Sequence, residues 1–194
     1  MHSKFIIAAL VCLLCACQSS PRKNYYVLSA ESPVQTSESR QASNITDIIG
    51  IGPIELADYL HRSQIVYVAK SSQLVLEEND YWAEPLDKGI VRVLMLNLMQ
   101  NDSSRSFVTF PWRSDSKPRY SLRVQIHSLN RNDNQATINS TWALIDNIER
   151  TELLRRHFIQ SAPASAGVTG LTEAYSQLFA QLAEKMDEEL RQLP

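Results

Sequence analysis

The chain has 194 residues, with 19 basic against 21 acidic side chains and a formal net charge of −2. A balance this close to neutral offers no cationic field for nucleic acid, and the length suits one domain at the usual ~150 residues each. All 3 cysteines fall within the first 17 residues, so no disulfide framework can staple the body and noncovalent packing must hold it.

The chain opens MHSKFIIAALVCLLCACQSS. Lys4 gives a charged start, Phe5 to Leu14 an apolar run and Ala16 a small residue at the exit, which are the parts of a secretory signal over residues 1–16. The run is too short to span a bilayer as a helix, which takes about 20 residues. Leu14-Cys15-Ala16-Cys17 looks like the bacterial lipobox, in which a small residue precedes the cysteine that is lipidated. Cys12 and Cys15 fit poorly, because Val11 and Leu14 precede them. On this reading Cys17 becomes the acylated first residue of a mature chain. Loss of the leader removes only Lys4 among the charged residues and moves the formal charge from −2 to −3. Proteins similar to it carry palmitate and diacylglycerol there, enough chains to anchor them permanently. Gln18 stands where inner-membrane retention in such proteins uses aspartate, which favours the outer membrane, periplasmic face. An ordinary secreted protein cut nearby, with Cys17 a free thiol, is the other reading.

Residues 17–24 form a lipidated polar tether reaching at most about 25 Å at ~3.5 Å per residue. The remaining residues, 25–194, read as one domain. Tyr25 to Leu28 has strand composition, and the polar run 29–46 reads as a mobile loop. From Ile48 the pattern gives a strand with two glycines, a turn at Pro53, a helical piece over Leu56 to Leu60, a strand over Ile65 to Ala69 and a short one over Leu74 to Leu76. Leu86, Ile90, Leu94 and Leu98 then mark a buried helix stripe, with Pro85 in its opening turn. Strands follow at Phe107 to Phe110, at Tyr120 to His127 with one wet face, at Ala136 to Ile145 after a turn over Asn130 to Asn134, and at Leu153 to Ile159. Leu171, Tyr175, Leu178, Leu182, Met186 and Leu190 predict a long amphipathic helix ending near Leu193. The fold class is α+β, a mostly antiparallel sheet with two main helices packed on one face.

No catalytic constellation emerges. His61, His127 and His157 lack metal-ligand spacing, no CxxC exists, and GIG at residues 50–52 is too short for a nucleotide fingerprint. His127 falls on the wet side of its strand. Glu77, Glu78, Asp80, Glu84 and Asp87 read as a charged surface, partly capping the helix that follows. The sequons at Asn44, Asn101 and Asn139 have no meaning in a bacterial chain. The expectation is no catalytic residue, no metal site, no cofactor and no enzyme.

The runs GIGPIELADYLHRSQIV and WAEPLDKGIVRVLMLNL, the FPW after the next strand, STWALID, and YYVL after the tether resemble the PqiC-like ABC-type transport auxiliary lipoproteins, the YmbA family. The resemblance implies an outer-membrane lipoprotein that partners an MCE-domain protein of the PqiB type and its inner-membrane companion of the PqiA type. Such systems are implicated in moving lipid between membranes and in envelope integrity, and family members assemble as homo-oligomeric rings. It also makes Pro53, Leu56, Tyr59, Leu60, Trp82, Pro85 and Leu86 candidates for the partner contact. Those residue types serve turns and cores equally well. A lipid-binding carrier, holding an acyl chain between the terminal helix and the sheet, is the alternative to a docking module.

Overall fold

The computed structural model describes residues 21–31, 48–70, 72–102, 104–113 and 117–193. In chain order these form β1 (Asn24–Tyr26), β2 (Ile48–Leu56), a 3₁₀ turn (Asp58–His61), β3 (Gln64–Val68), β4 (Leu74–Trp82), α1 (Leu86–Asn101), β5 (Ser106–Thr109), β6 (Tyr120–Asn132), β7 (Gln135–Asp146), β8 (Thr151–Pro163) and α2 (Gly167–Leu190).

β6 organises the sheet. One of its edges pairs antiparallel with β7, which pairs antiparallel with β8. Its other edge is shared lengthwise. β2 lies parallel to the first half, from Tyr120 to Ile126, and β3 meets the second half at Asn130. β5 extends the sheet beyond β2, while β4 and then β1 extend it beyond β3. The long ladders are antiparallel, as expected, and short parallel ones complete the sheet.

Alternation decides which face is covered. Leu122, Val124 and Ile126 of β6 and Ile138, Trp142 and Leu144 of β7 are buried, whereas Arg123, Gln125 and His127 are exposed. α1 packs on β2 and β5, α2 on β7 and β8, and the helices on each other, which is the expected pair on one face. The predicted stripe of α1 is fully enclosed. So are Leu171, Tyr175, Leu178, Phe179, Leu182, Met186 and Leu190 of α2. Burying a large apolar side chain is worth roughly 1.5–3 kcal/mol, and this layer is where most of that burial occurs.

Several elements differ from expectation for physical reasons. β2 does not stop at Pro53: its register against β6 shifts between Ile51 and Ile54, and Gly52, at φ +109°, with Pro53 forms the irregularity. A bulge tolerates a residue without an N–H. The expected helical piece is the 3₁₀ turn, two residues later. β4 runs on through Glu77, Glu78 and Asp80 to Trp82, so those acids lie on a strand and do not cap α1. β6 continues to Asn132, leaving Asp133, at φ +52°, and Asn134 as the whole hairpin loop. β8 is nearly twice its expected length. Cys17 and residues 32–46 of the expected loop lie outside the described residues, and Ser29, Ala30 and Glu31 are held in place as described below.

Candidate docking surface

The chain fixes the direction in which the domain hangs from its tether. β1 runs parallel to β4, with Asn24 opposite Asp80, so the residues before it point back along β4 toward Leu74. That end of the sheet also carries the β3–β4 turn, the β6–β7 hairpin and the start of α2. We call it the near end. Asn24 Nδ2 and the Tyr26 hydroxyl both donate to Asp80 Oδ1, at 2.8 and 2.9 Å, and Lys23 Nζ sits 5.1 Å from the centre of the Tyr81 ring.

Beyond β1 the chain crosses both helices as a strap. Arg92 donates to Leu28 O and to Glu84, Ser29 N–H donates to Ser176 Oγ of α2, and Glu31 N–H donates to Asn97 Oδ1 of α1. Leu28 is buried beneath the strap. Here the sequence suggested only a loop, because the bonds that order it use main-chain groups, which a sequence pattern does not reveal.

At the far end, β2 and β5 begin, β7 turns into β8, and the helices finish together, Arg105 donating to Leu190 O and Arg191 to Asn101 O. Asp187, enclosed between Arg105 and Arg191, has its carboxyl pushed up by burial. Asp146 organises the β7–β8 turn, accepting from the N–H groups of Ile148 and Glu149 at 2.8 and 3.0 Å with Arg119 beside it. The Glu149 and Ile148 amides and Arg119 hold this carboxyl below the usual aspartate range. The turn thereby lifts Ile148, 67% exposed, into solvent. Ile48, Met99 and Leu153 are exposed at the same end. A group of large apolar side chains at one tip of a domain marks an interaction site more often than scattered ones do.

The predicted contact residues divide. Leu60, Trp82 and Leu86 are in the core, so their side chains offer no surface. Trp82 N–H donates to Ser63 O and Ala57 N–H to Ile126 O, which ties the corner together from inside. Leu56 and Tyr59 pack half-buried against the core, and the Tyr59 hydroxyl accepts from Leu129 N–H at 3.4 Å. Burial pushes the Tyr59 phenol up, against the lowering effect of that bond. Pro53 is half-buried and Pro85 exposed.

The two sequence runs GIGP and FPW belong to one corner. A Cβ on Gly50 would lie 2.7 Å from both the Trp112 ring and Pro118 Cγ, so only glycine lets that cover close over β2. Phe110 N–H donates to Ile51 O, and its half-exposed ring meets Trp112 edge-on at 5.1 Å. Across the open face His127 Nε2 and His157 Nδ1 lie 2.8 and 3.2 Å from Thr141 Oγ1. Among the described residues no group of three His, Cys, Asp or Glu could hold a metal ion, and no helix is long and apolar enough to cross a membrane.

Hollows open to solvent among the described residues include about 290 Å³ between the strap and α2, about 150 Å³ on the open face beside Pro53 and Arg155, and about 300 Å³ between β8 and α2. The last opens onto the margin of the layer between helices and sheet, at Trp142 and Phe158, while Tyr175 and Phe179 are buried within that layer.

The model of the ABC-type transport auxiliary lipoprotein component family matches residues 26–187. The chain belongs to that family. It is similar to the intermembrane transport lipoprotein PqiC of Escherichia coli, 24% identical with 98% of this chain and 99% of the relative covered, and equally to PqiC of Shigella flexneri. Its fold is shared by the solved structure of an uncharacterized protein, at TM-score 0.71 and 21% identity, covering 88% of this chain and 99% of that one. A protein from Xanthomonas campestris shares it at TM-score 0.65 and 13% identity, covering 84% and 92%.

Proposed function

We propose that this protein is an intermembrane transport lipoprotein, anchored through an acylated Cys17 to the periplasmic face of the outer membrane. There it serves as a docking subunit of a PqiABC-like MCE system that moves lipid and supports envelope integrity. It acts as a homo-oligomer and takes a PqiB-like MCE protein as its direct partner, with a PqiA-like protein in the inner membrane. It is not an enzyme.

The observation that carries this reading is the polarity of the domain. The tether leaves at the near end, while exposed Ile48, Met99, Ile148 and Leu153 gather at the far end. With only about 25 Å of tether, the near end must hug the membrane and the far end must face the periplasm. A partner reaching across the envelope then meets a surface already concentrated at the membrane, which raises its effective concentration. Tyr175 and Phe179 are buried inside the helix–sheet layer, so on the carrier reading an acyl chain would be limited to the open hollow of about 300 Å³ between β8 and α2.

Affinity purification of the full-length lipoprotein from native membranes tests the proposal. The expected result is co-purification of an MCE-domain protein, palmitate labelling of the wild type and neither in Cys17→Ser. Label in Cys17→Ser would overturn the anchor, and copurified phospholipid in a delipidated Cys17→Ser domain would favour the carrier.

A further inference from the structure

Among the described residues β8 pairs on one side only, with β7. It is a 13-residue edge, long for a position where unpaired amide and carbonyl groups invite another strand. Beside it runs the hollow of about 300 Å³, floored by Trp142 and Phe158 and rimmed by Arg156, Lys185, Glu188 and Glu189. An edge with an adjoining groove is the arrangement used in strand addition, where main-chain bonds give affinity and the groove gives selectivity.

The opposite side of the sheet has a matching edge. β1 covers β4 only at Asp80, Tyr81 and Trp82, so among the described residues the outer side of positions 74–79 has no strand against it. The register measures height across the sheet. Leu74 pairs with Val68, Val68 with Asn130, Asn130 with Thr137 and Thr137 with Ser161. Leu74 and Ser161 are therefore level and on the same face. β4 and β8 run in opposite directions, so Leu76 comes level with Ile159 and Glu78 with His157, each pair on that same open face. Leu76 is 38% and Ile159 60% exposed, two large apolar side chains that the described residues leave partly open to solvent. On that face Glu78 follows Leu76 and His157 precedes Ile159, whereas Arg156, opposite Trp142, is turned to the other face and paired with Glu189.

We infer that the β8 edge of one copy joins the outer edge of β4 in the next, with Ile159 of one copy against Leu76 of its neighbour and His157 against Glu78. The inference rests on the anchored, oligomeric reading above. Anchorage also excludes the simpler dimer. Two copies joined antiparallel through β8 would be related by a two-fold axis that turns one of them over. Its near end would then stand about 40 Å away, at ~3.3 Å per residue of β8, beyond the ~25 Å reach of the tether. Copies fixed in one membrane must stand the same way up, so their contact is head-to-tail, and such contacts form a ring when the rotation from copy to copy closes.

The test uses the full-length lipoprotein in its membrane, with Leu76→Cys and Ile159→Cys introduced singly and together. Both positions are exposed, so the variants keep the fold, and non-reducing gels after mild oxidation read the outcome. The expected result is a ladder extending past the dimer only when both cysteines are in one chain. A dimer from Ile159→Cys alone would mean that β8 pairs with itself, overturning the inference. Oligomers trapped by an amine-reactive cross-linker in a double variant that gives no disulfide ladder would place the interface elsewhere, leaving the oligomeric reading intact. Monomers with both reagents would remove the oligomeric reading along with this one.

Discussion

The two faces of the central sheet are built from the same strands, yet they carry opposite burdens. On the covered face, Leu122, Val124, Ile126, Trp142 and Leu144 share one buried core cluster with Tyr175 and Phe179. On the open face the matching positions are Arg123, Gln125, Thr141, Ala143, Arg155 and His157. Stability is therefore concentrated in one layer, and the open face, the edges and the ends remain available for contacts. Removing mass from the layer should break this division most severely. Phe179→Ala leaves a void in a site with no route for water and should cost about 3–5 kcal/mol, read as a drop in the urea midpoint at unchanged slope. A loss under about 1 kcal/mol would mean the layer is loosely filled and would reopen the carrier reading.

One spot on the open face is packed like the covered one, and it sharpens the comparison. Gly50 lies under Trp112 and Pro118 with no room for a Cβ. Gly50→Val should cost about 1–3 kcal/mol, the usual penalty of overpacking, accompanied by a change in tryptophan fluorescence as Trp112 is displaced. Unchanged stability and fluorescence would show that the FPW corner is not anchored on β2.

The contrast between faces also explains what could be read in the sequence. α1, α2, β6 and β7 were legible because each buries one side, so Leu86, Ile90, Leu94 and Leu98, or Leu122, Val124 and Ile126, recur at the period of the element. β8 and the second half of β4 were cut short. β8 is an edge strand with most residues exposed and the second half of β4 is mostly half-buried, so Glu152, Arg155, Arg156 and His157, or Glu77, Glu78 and Asp80, show no apolar alternation. Pro53 read as a turn because its missing N–H argues against a ladder, and only the register shift beside it shows how β2 continues. For the contact surface, Trp82, Leu60 and Leu86 look like interface residues by type, but burial is a tertiary property and the structure puts them inside. Ile148 lies singly among polar neighbours and Met99 follows Leu98 in an apolar helix run, so nothing local marks either as surface. They become a surface only because the Asp146 turn and the helix ends bring them to the same tip.

That turn gives a pH-dependent prediction. Hydrogen bonds from the Glu149 and Ile148 amides, together with Arg119, hold the Asp146 carboxyl below its ordinary range. A carboxylate favoured in the folded state contributes stability above its unfolded pKa and loses that contribution as acid protonates it through the lower folded value. Asp146→Asn should therefore be less stable than the wild type at neutral pH. The gap should close as the pH falls below about 4, the unperturbed aspartate value. Thermal melts of the two proteins between neutral and acid pH measure this, and parallel curves would mean the turn is held without the charge.

The smallest effect on stability should accompany the largest effect on docking. Ile148 is the most exposed of the large apolar side chains among the described residues, at 67%, so Ile148→Glu removes little burial, and surface changes of this kind usually stay within about ±0.5 kcal/mol. At a docking tip the same change places a carboxylate where a partner's apolar surface must be desolvated, a cost of roughly 1–3 kcal/mol and hence about a 5- to 150-fold weaker complex. The far end therefore predicts a variant that melts like the wild type yet retains far less of the MCE-domain protein in pull-downs from membranes. Full retention by a folded Ile148→Glu would move the docking surface away from this tip. A matching change at Ile159 should spare that retention while weakening contacts between copies, which separates the surface for the partner from the edge for the neighbour.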